Sequence, residues 1–124
     1  MKSSTTALAA LLGVLLATSA EAGGNAANGS SVFDRCAICH ANAKVAPNKI
    51  GPNLFGIVGR KAATYPGFAY SSALKSAGIT WTDAKLDAWI TSPSAVVPGT
   101  SMAFAGIPNA NQRADLIAYL ATLK

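Results

Sequence analysis

Two thiols and an imidazole stand together in the run Cys36-Ala37-Ile38-Cys39-His40. A C-x-x-C-H run reads as covalent attachment of a c-type haem. Two cysteines three positions apart can each add to a vinyl group of one porphyrin, and the next residue's imidazole then lies under the ring, where it can bind iron. Two other chemistries use paired thiols. A redox dithiol belongs in a βαβ context, and this chain has almost no alternating strand pattern. Structural zinc takes four ligands, and no further Cys or His exists in the sequence. Each alternative lacks its required partners, so these residues predict haem.

Haem iron takes one or two protein ligands, and the choice among His, Met, Cys and Tyr largely sets its behaviour. His40 is the only histidine, which excludes a bis-histidine centre. The two methionines are Met1, in an N-terminal segment expected to be removed, and Met102. An isolated methionine is usually core filler. Met102, however, sits in an irregular, proline-bracketed stretch far from His40 in sequence, where a ligand for the opposite side of the ring has to originate. His40 and Met102 are therefore the expected axial pair. With both positions filled the iron has no open site for a substrate, and thioether sulfur favours the reduced state. A metal-bound histidine usually donates its other ring N–H to an acceptor. The Pro52 carbonyl in Gly51-Pro52-Asn53-Leu54-Phe55-Gly56 can be that acceptor; from spacing alone the run reads equally as a plain turn.

The elements that must position these groups are short and helical. Ser30 or Ser31 is the expected cap of a first helix in which Val32 and Phe33 precede Cys36 and Ala37 by one turn. The stretch 23–28 before it is small, polar and expected to be mobile. Residues 41–64, rich in Gly, Pro, Asn and Lys, read as loop. Ser71 to Ser76 fits one or two turns ended by Gly78. Thr82 caps a segment placing Leu86, Trp89 and Ile90 on one face, with Pro93 stopping it. Residues 92–107 are expected to be irregular. Asn109 or Asn111 starts a last helix with Leu116, Ile117, Leu120 and Leu123 as its apolar stripe. The fold class is all-α, a small domain wrapped around a prosthetic group.

The chain of 124 residues opens like a secretory signal. Lys2 supplies a positive start, Ala7 to Ala17 is an apolar run, and Ala20-Glu21-Ala22 is a small-x-small cleavage site. The apolar run falls short of the ~20 residues of a spanning helix. A signal over residues 1–22, cleaved after about Ala22, and a single domain over 23–124 are expected. Thioether formation outside the cytoplasm makes a bacterial periplasm the simplest setting. A core of about a hundred residues is near the lower range of self-sufficiency, so folding is expected to depend on the cofactor. Net charge is +5 and unchanged by cleavage, since Lys2 and Glu21 leave together. A basic domain meets acidic partners or surfaces; without a Lys/Arg run or interleaved aromatics, nucleic acid is not among them.

Together these residues resemble a class I c-type cytochrome, close to the mitochondrial cytochrome c and bacterial cytochrome c2 branch. The motifs run from about Val32 to Leu123: Cys36 to His40, Gly51 to Gly56, Gly59-Arg60-Lys61, Pro66-Gly67-Phe68, Gly78-Ile79-Thr80-Trp81, Pro98-Gly99-Thr100 leading to Met102, Phe104 to Ile107, and Asp115 to Leu120. The resemblance implies the small cytochrome c fold around one haem c held by Cys36 and Cys39. It implies Met102 as sixth ligand and the Pro52 carbonyl as acceptor for His40. Arg60, Tyr70 and Trp81 would surround the buried propionates, Thr100 would join the same polar network, and Phe33 would pack on Tyr119 where first and last helices cross. Three positions depart from the pattern: Leu74 replaces an asparagine near the propionates, Trp89 a tyrosine whose hydroxyl approaches the ligand sulfur, and Ser101 a lysine beside Met102.

The implied activity is that of a monomeric electron carrier, not an enzyme, without stable membrane insertion, exchanging one electron with protein partners that present acidic docking patches. Lys44, Lys49, Lys61, Lys75, Lys85 and Arg113 are its candidate steering charges. A peroxidase or gas-binding haem protein would need a labile sixth position, and a dehydrogenase subunit would co-purify with a larger oxidoreductase.

Overall fold

Residues that cap, and residues that must touch, set where this chain becomes helical. The computed structural model describes Gly13 and residues 23–124; the expected signal segment and its cleavage site lie outside the described residues. Among the described residues six helices follow in order: α1 (Ala26–Val32), α2 (Asp34–Ala37), α3 (Ser72–Ser76), α4 (Asp83–Thr91), α5 (Pro93–Val96) and α6 (Ala110–Ala121). Among the described residues there is no strand, only one isolated antiparallel bridge between Lys61 and Thr80. No helix there is long and apolar enough to cross a membrane.

α1 starts earlier than the serines suggest. Its cap is Asn25, whose side chain accepts from the Asn28 N–H at 3.0 Å. The cause lies ninety residues away: the Asn25 N–H donates to the Asp115 carboxylate at 2.7 Å, fastening the chain entry to α6. Gly29 is buried on α6, and a Cβ there would run into the Asp115 carbonyl and the Tyr119 Cβ. Gly24 faces the Ala114 backbone as closely. The stretch expected to be mobile is thus a helix start sewn to the last helix. Beyond the crossing, the Phe33 and Tyr119 rings pack 5.3 Å apart.

The other caps fall where they are expected. Ser71 accepts from Leu74, Thr82 from Lys85 and Asn109 from Gln112, each starting its helix as a side-chain oxygen satisfies an orphan N–H. α4 buries Leu86, Trp89 and Ile90, and α6 buries Leu116, Ile117 and Leu120. The stretch after α4 is less irregular than expected, because Pro93 stands in the first turn of α5, where its missing N–H costs nothing. The chain beyond Met102 then returns to α4: the Ile107 N–H donates to the Ile90 carbonyl at 2.9 Å, and Ile107 is fully buried. Gly106 permits this return with φ +96° against the Thr91 carbonyl, where a side chain would collide.

Residues 41–64 are loop, yet ordered by long-range bonds. The Gly56 N–H donates to the Leu123 carbonyl, the Gly59 N–H to Trp81 and the Ala62 N–H to Ile79, at 2.7–2.8 Å. The core is the side chains these elements turn inward, Phe33, Ile57, Leu74, Ile79, Trp81, Leu86, Trp89, Ile90, Val97, Ile107, Leu116, Ile117 and Leu120.

Candidate haem site

α2 carries Cys36 at its end, and the turn beyond it holds Cys39 and His40, with the Cys39 and His40 N–H groups both on the Cys36 carbonyl. The loop strand passing this turn is tied to it twice: the Gly51 N–H donates to the Cys39 carbonyl at 2.7 Å, and Lys49 Nζ donates to the Ala37 carbonyl. That docking seats His40 Nδ1 2.7 Å from the Pro52 carbonyl oxygen. A carbonyl only accepts, so Nδ1 carries the proton and Nε2 keeps the lone pair a metal needs. Burial, with Lys49 adding to it, holds the imidazole below its ordinary pKa against the opposing Pro52 bond, which keeps it neutral. Burial likewise pushes the Cys36 thiol up to about 11. Catalytic redox cysteines are depressed towards thiolate, so this buried thiol does not have the character of a dithiol exchange centre.

From the other side of the molecule α4 and the 97–107 segment supply the facing wall. Trp89 Nε1 donates to Met102 Sδ at 3.3 Å, and the Trp89 ring stands edge-on to Trp81, 5.0 Å away. The position expected to lack a hydroxyl near the sulfur therefore carries an N–H donor in its place. Leu74, where an asparagine was expected by resemblance, is buried and makes the wall apolar.

The polar end of the cleft is built by Arg60. Its guanidinium donates to the Phe55 carbonyl at 3.0 Å and the Asn53 carbonyl at 3.3 Å, and lies 4.8 Å over the Tyr65 ring. Tyr70 Oη accepts from the Tyr65 N–H at 3.1 Å. Burial lowers the Arg60 pKa and raises that of Tyr70, leaving a cation and a neutral phenol together. Thr100 Oγ1 is 3.4 Å from the Met102 N–H.

One cleft of about 260 Å³ brings these groups together: Cys36, Cys39, His40, Pro52, Arg60, Tyr70, Trp81, Thr100 and Met102 all line it, with Leu74, Leu86, Trp89, Ile90, Leu116 and Leu120 as apolar walls. No group of three or more His, Cys, Asp or Glu among the described residues could hold a bare metal ion. The donors suit a flat apolar group that brings its own metal.

Comparison with known proteins decides the family. The Cytochrome c family model matches residues 26–124. Cytochrome c2 of Rhodomicrobium vannielii is 46% identical over 115 residues, covering 91% of this chain and 92% of that protein. Cytochrome c of Trypanosoma brucei brucei is 51% identical over 84 residues, 68% of this chain and 90% of its own. Among solved structures, cytochrome cH from Methylobacterium extorquens superimposes with a TM-score of 0.76 at 44% identity, over 80% of this chain and 99% of that one. The chain belongs to the cytochrome c family.

As a cytochrome c it carries one covalently attached haem c, and Cys36 and Cys39 are the cysteines that fit the attachment motif. It is a haem electron carrier that exchanges electrons with protein partners. Two residues of this cytochrome were not singled out from sequence. Asn53, fully buried, donates through Nδ2 to the Ala43 and Ala46 carbonyls and to Tyr65 Oη at 2.7–3.3 Å, and its Oδ1 accepts from the Phe55 N–H at 3.0 Å. Asn48 Oδ1 accepts from the Asn53 N–H at 2.9 Å. The sequence signal for Asn53 was its place in the Gly51–Gly56 motif, and nothing in the sequence marked Asn48.

Proposed function

We propose that this cytochrome is a periplasmic one-electron carrier with His40 and Met102 as axial ligands, formed by cleavage of a signal over residues 1–22 and comprising 23–124 as a monomer. The observation that carries the reading is the convergence of Cys36, Cys39, His40 and Met102 on one apolar cleft. When bound, the haem supplies an Fe(III)/Fe(II) couple. Pro52 holds His40 by its Nδ1 proton, and Trp89 holds the Met102 thioether by its Sδ. Arg60, Tyr70, Trp81 and Thr100 supply the polar end that would receive the propionates. The apolar walls would keep water from the bound haem, and with His40 and Met102 both holding its iron no site would be left for a substrate, so an electron carrier rather than an enzyme is the reading.

The test is Met102→Ala. The variant should bind cyanide or carbon monoxide, which wild type resists, and its reduction potential should fall, because a thioether ligand favours the reduced form. A variant with wild-type spectrum, potential and ligand resistance overturns the assignment.

Partner docking should be steered by the surface lysines. Arg113 leaves the candidate set: it is paired with Asp87 at 2.8 Å, donates to the Ile107 and Pro108 carbonyls, and its side chain is only 13% exposed. Lys44, Lys49, Lys61, Lys75 and Lys85 are exposed, and Lys61 and Ser101 both border the cleft. Such charges mainly raise on-rates. The electron-transfer rate with a partner bearing an acidic patch is expected to fall as the Debye length shrinks from about 30 Å at 0.01 M salt to about 8 Å at 0.15 M. Ser101→Lys should steepen that fall, and a rate that is flat or rises with salt refutes the steering.

A further inference from the structure

The Pro52–Asn53 peptide unit is gripped at both ends. Its carbonyl takes the His40 Nδ1 proton at 2.7 Å, and its N–H, belonging to Asn53, donates to Asn48 Oδ1 at 2.9 Å. The Asn48 amide is itself held at its other end, with Nδ2 donating to the Pro66 carbonyl at 3.1 Å. Its orientation is unambiguous, because the Pro66 carbonyl only accepts and the Asn53 N–H only donates. Read from His40 outward, each amide accepts on one side and donates on the other: Nδ1–H to the Pro52 carbonyl, the Asn53 N–H to Asn48 Oδ1, and Asn48 Nδ2–H to the Pro66 carbonyl. The dipoles run head to tail.

We propose that Asn48 is an outer positioning residue for the haem ligand His40, acting through the Pro52–Asn53 peptide; this rests on His40 being the iron ligand. An amide whose N–H is engaged has a more negative carbonyl, because hydrogen bonds in a chain polarise one another in a low-dielectric interior. The Pro52 oxygen therefore draws more strongly on the Nδ1 proton, giving the imidazole more anionic character and making Nε2 a stronger donor. A stronger nitrogen donor favours Fe(III). Asn48 also fixes the peptide plane in space, since a peptide pinned at both ends cannot rotate its carbonyl off the ring nitrogen. The side chain reaches from the 48–53 loop to Pro66, its hydrogen bonds going to the Asn53 N–H and the Pro66 carbonyl and not to His40, so its influence on the imidazole runs through the peptide between them.

The experiment compares holoprotein of wild type, Asn48→Ala and Asn48→Asp by the NMR shift and exchange rate of the His40 Nδ1 proton, together with redox titration. Alanine removes the acceptor. Its Nδ1 proton should move upfield and exchange faster, and at fixed ambient potential the reduced-to-oxidised ratio should rise about two- to fivefold. Aspartate gives up the bond to the Pro66 carbonyl, which only an N–H can make, but supplies a stronger, charged acceptor to the Asn53 N–H, so the Nδ1 proton should move downfield and the ratio should drop. General loosening of the loop would move the Nδ1 proton the same way in both variants. Identical directions, or no movement in either, overturn the relay. If the alanine variant does not fold, the downfield shift in the aspartate variant decides alone. Failure of the underlying ligand assignment is seen separately, in wild type: oxidised protein without paramagnetically shifted His40 ring resonances removes His40 as ligand whatever Asn48 does.

Discussion

Cys36→Ala/Cys39→Ala double-variant protein is expected to carry no covalent haem and to fail as a folded domain, with each single variant giving sharply reduced holoprotein. The cleft that receives the group is about 260 Å³ and is lined by side chains from every helix except α1 and α5. Leu74 of α3, Leu86, Trp89 and Ile90 of α4, and Leu116 and Leu120 of α6 all turn towards it. Without the group these apolar walls lose the contacts that hold three helices against one another, and an ordinary domain has only about 5–15 kcal/mol of total stability to lose. Removing the tether thus takes away more than an attachment. Acid-organic extraction separates the cases: wild-type haem stays with the protein, haem in the double variant does not, and circular dichroism of the double variant should show most helix lost. A double variant with native helix content and cooperative melting would show that the polypeptide core suffices alone.

The helices that were legible in the sequence are those in which cap and period agree locally. Thr82 with Leu86, Trp89 and Ile90, and Asn109 with Leu116, Ile117 and Leu120, contain their own instructions within about a dozen residues. α1 does not. Choosing Asn25 over Ser30 or Ser31 depends on Asp115 and on two glycines that admit α6, and no local rule reports a partner ninety residues away. α5 has four residues, too few for a period to register. The chemistry-bearing types were easy to find, since a lone histidine, a C-x-x-C pair and a lone internal methionine leave few choices. Their surroundings were not. Arg113 reads as a surface charge until its 13% exposure and three protein partners are seen. Asn48 and Asn53 look like loop residues because their bonds go to backbone groups at positions 43, 46, 55 and 66, which leave no trace in composition.

Gly51→Ala should damage the haem site directly, for a reason of space rather than of backbone freedom. A Cβ at Gly51 would stand 2.7 Å from His40 Nδ1 and 3.0 Å from Nε2, and closer still to Cε1. The ring cannot retreat easily, because it is buried and bonded to Pro52, and the backbone at Gly51 is itself fixed by its N–H on the Cys39 carbonyl and its own carbonyl on the Lys49 N–H. Overpacking of this kind costs about 1–3 kcal/mol, and at roughly 4–8 °C per kcal/mol for a domain of this size the melting point should drop by about 4–24 °C. The more telling effect is on the imidazole: displacing the ring lengthens the Nδ1 bond to Pro52 and tilts Nε2, so the low-spin spectrum should weaken along with stability. Gly56 supplies the comparison. It has φ +75° and nothing within 4 Å of a built Cβ, so Gly56→Ala meets only the left-handed backbone penalty, about 1–2 kcal/mol, and lies away from His40. Its melting point should fall without any change in the haem spectrum. A Gly51→Ala haem spectrum identical to wild type would show that the ring has room that the packing around Gly51 denies it.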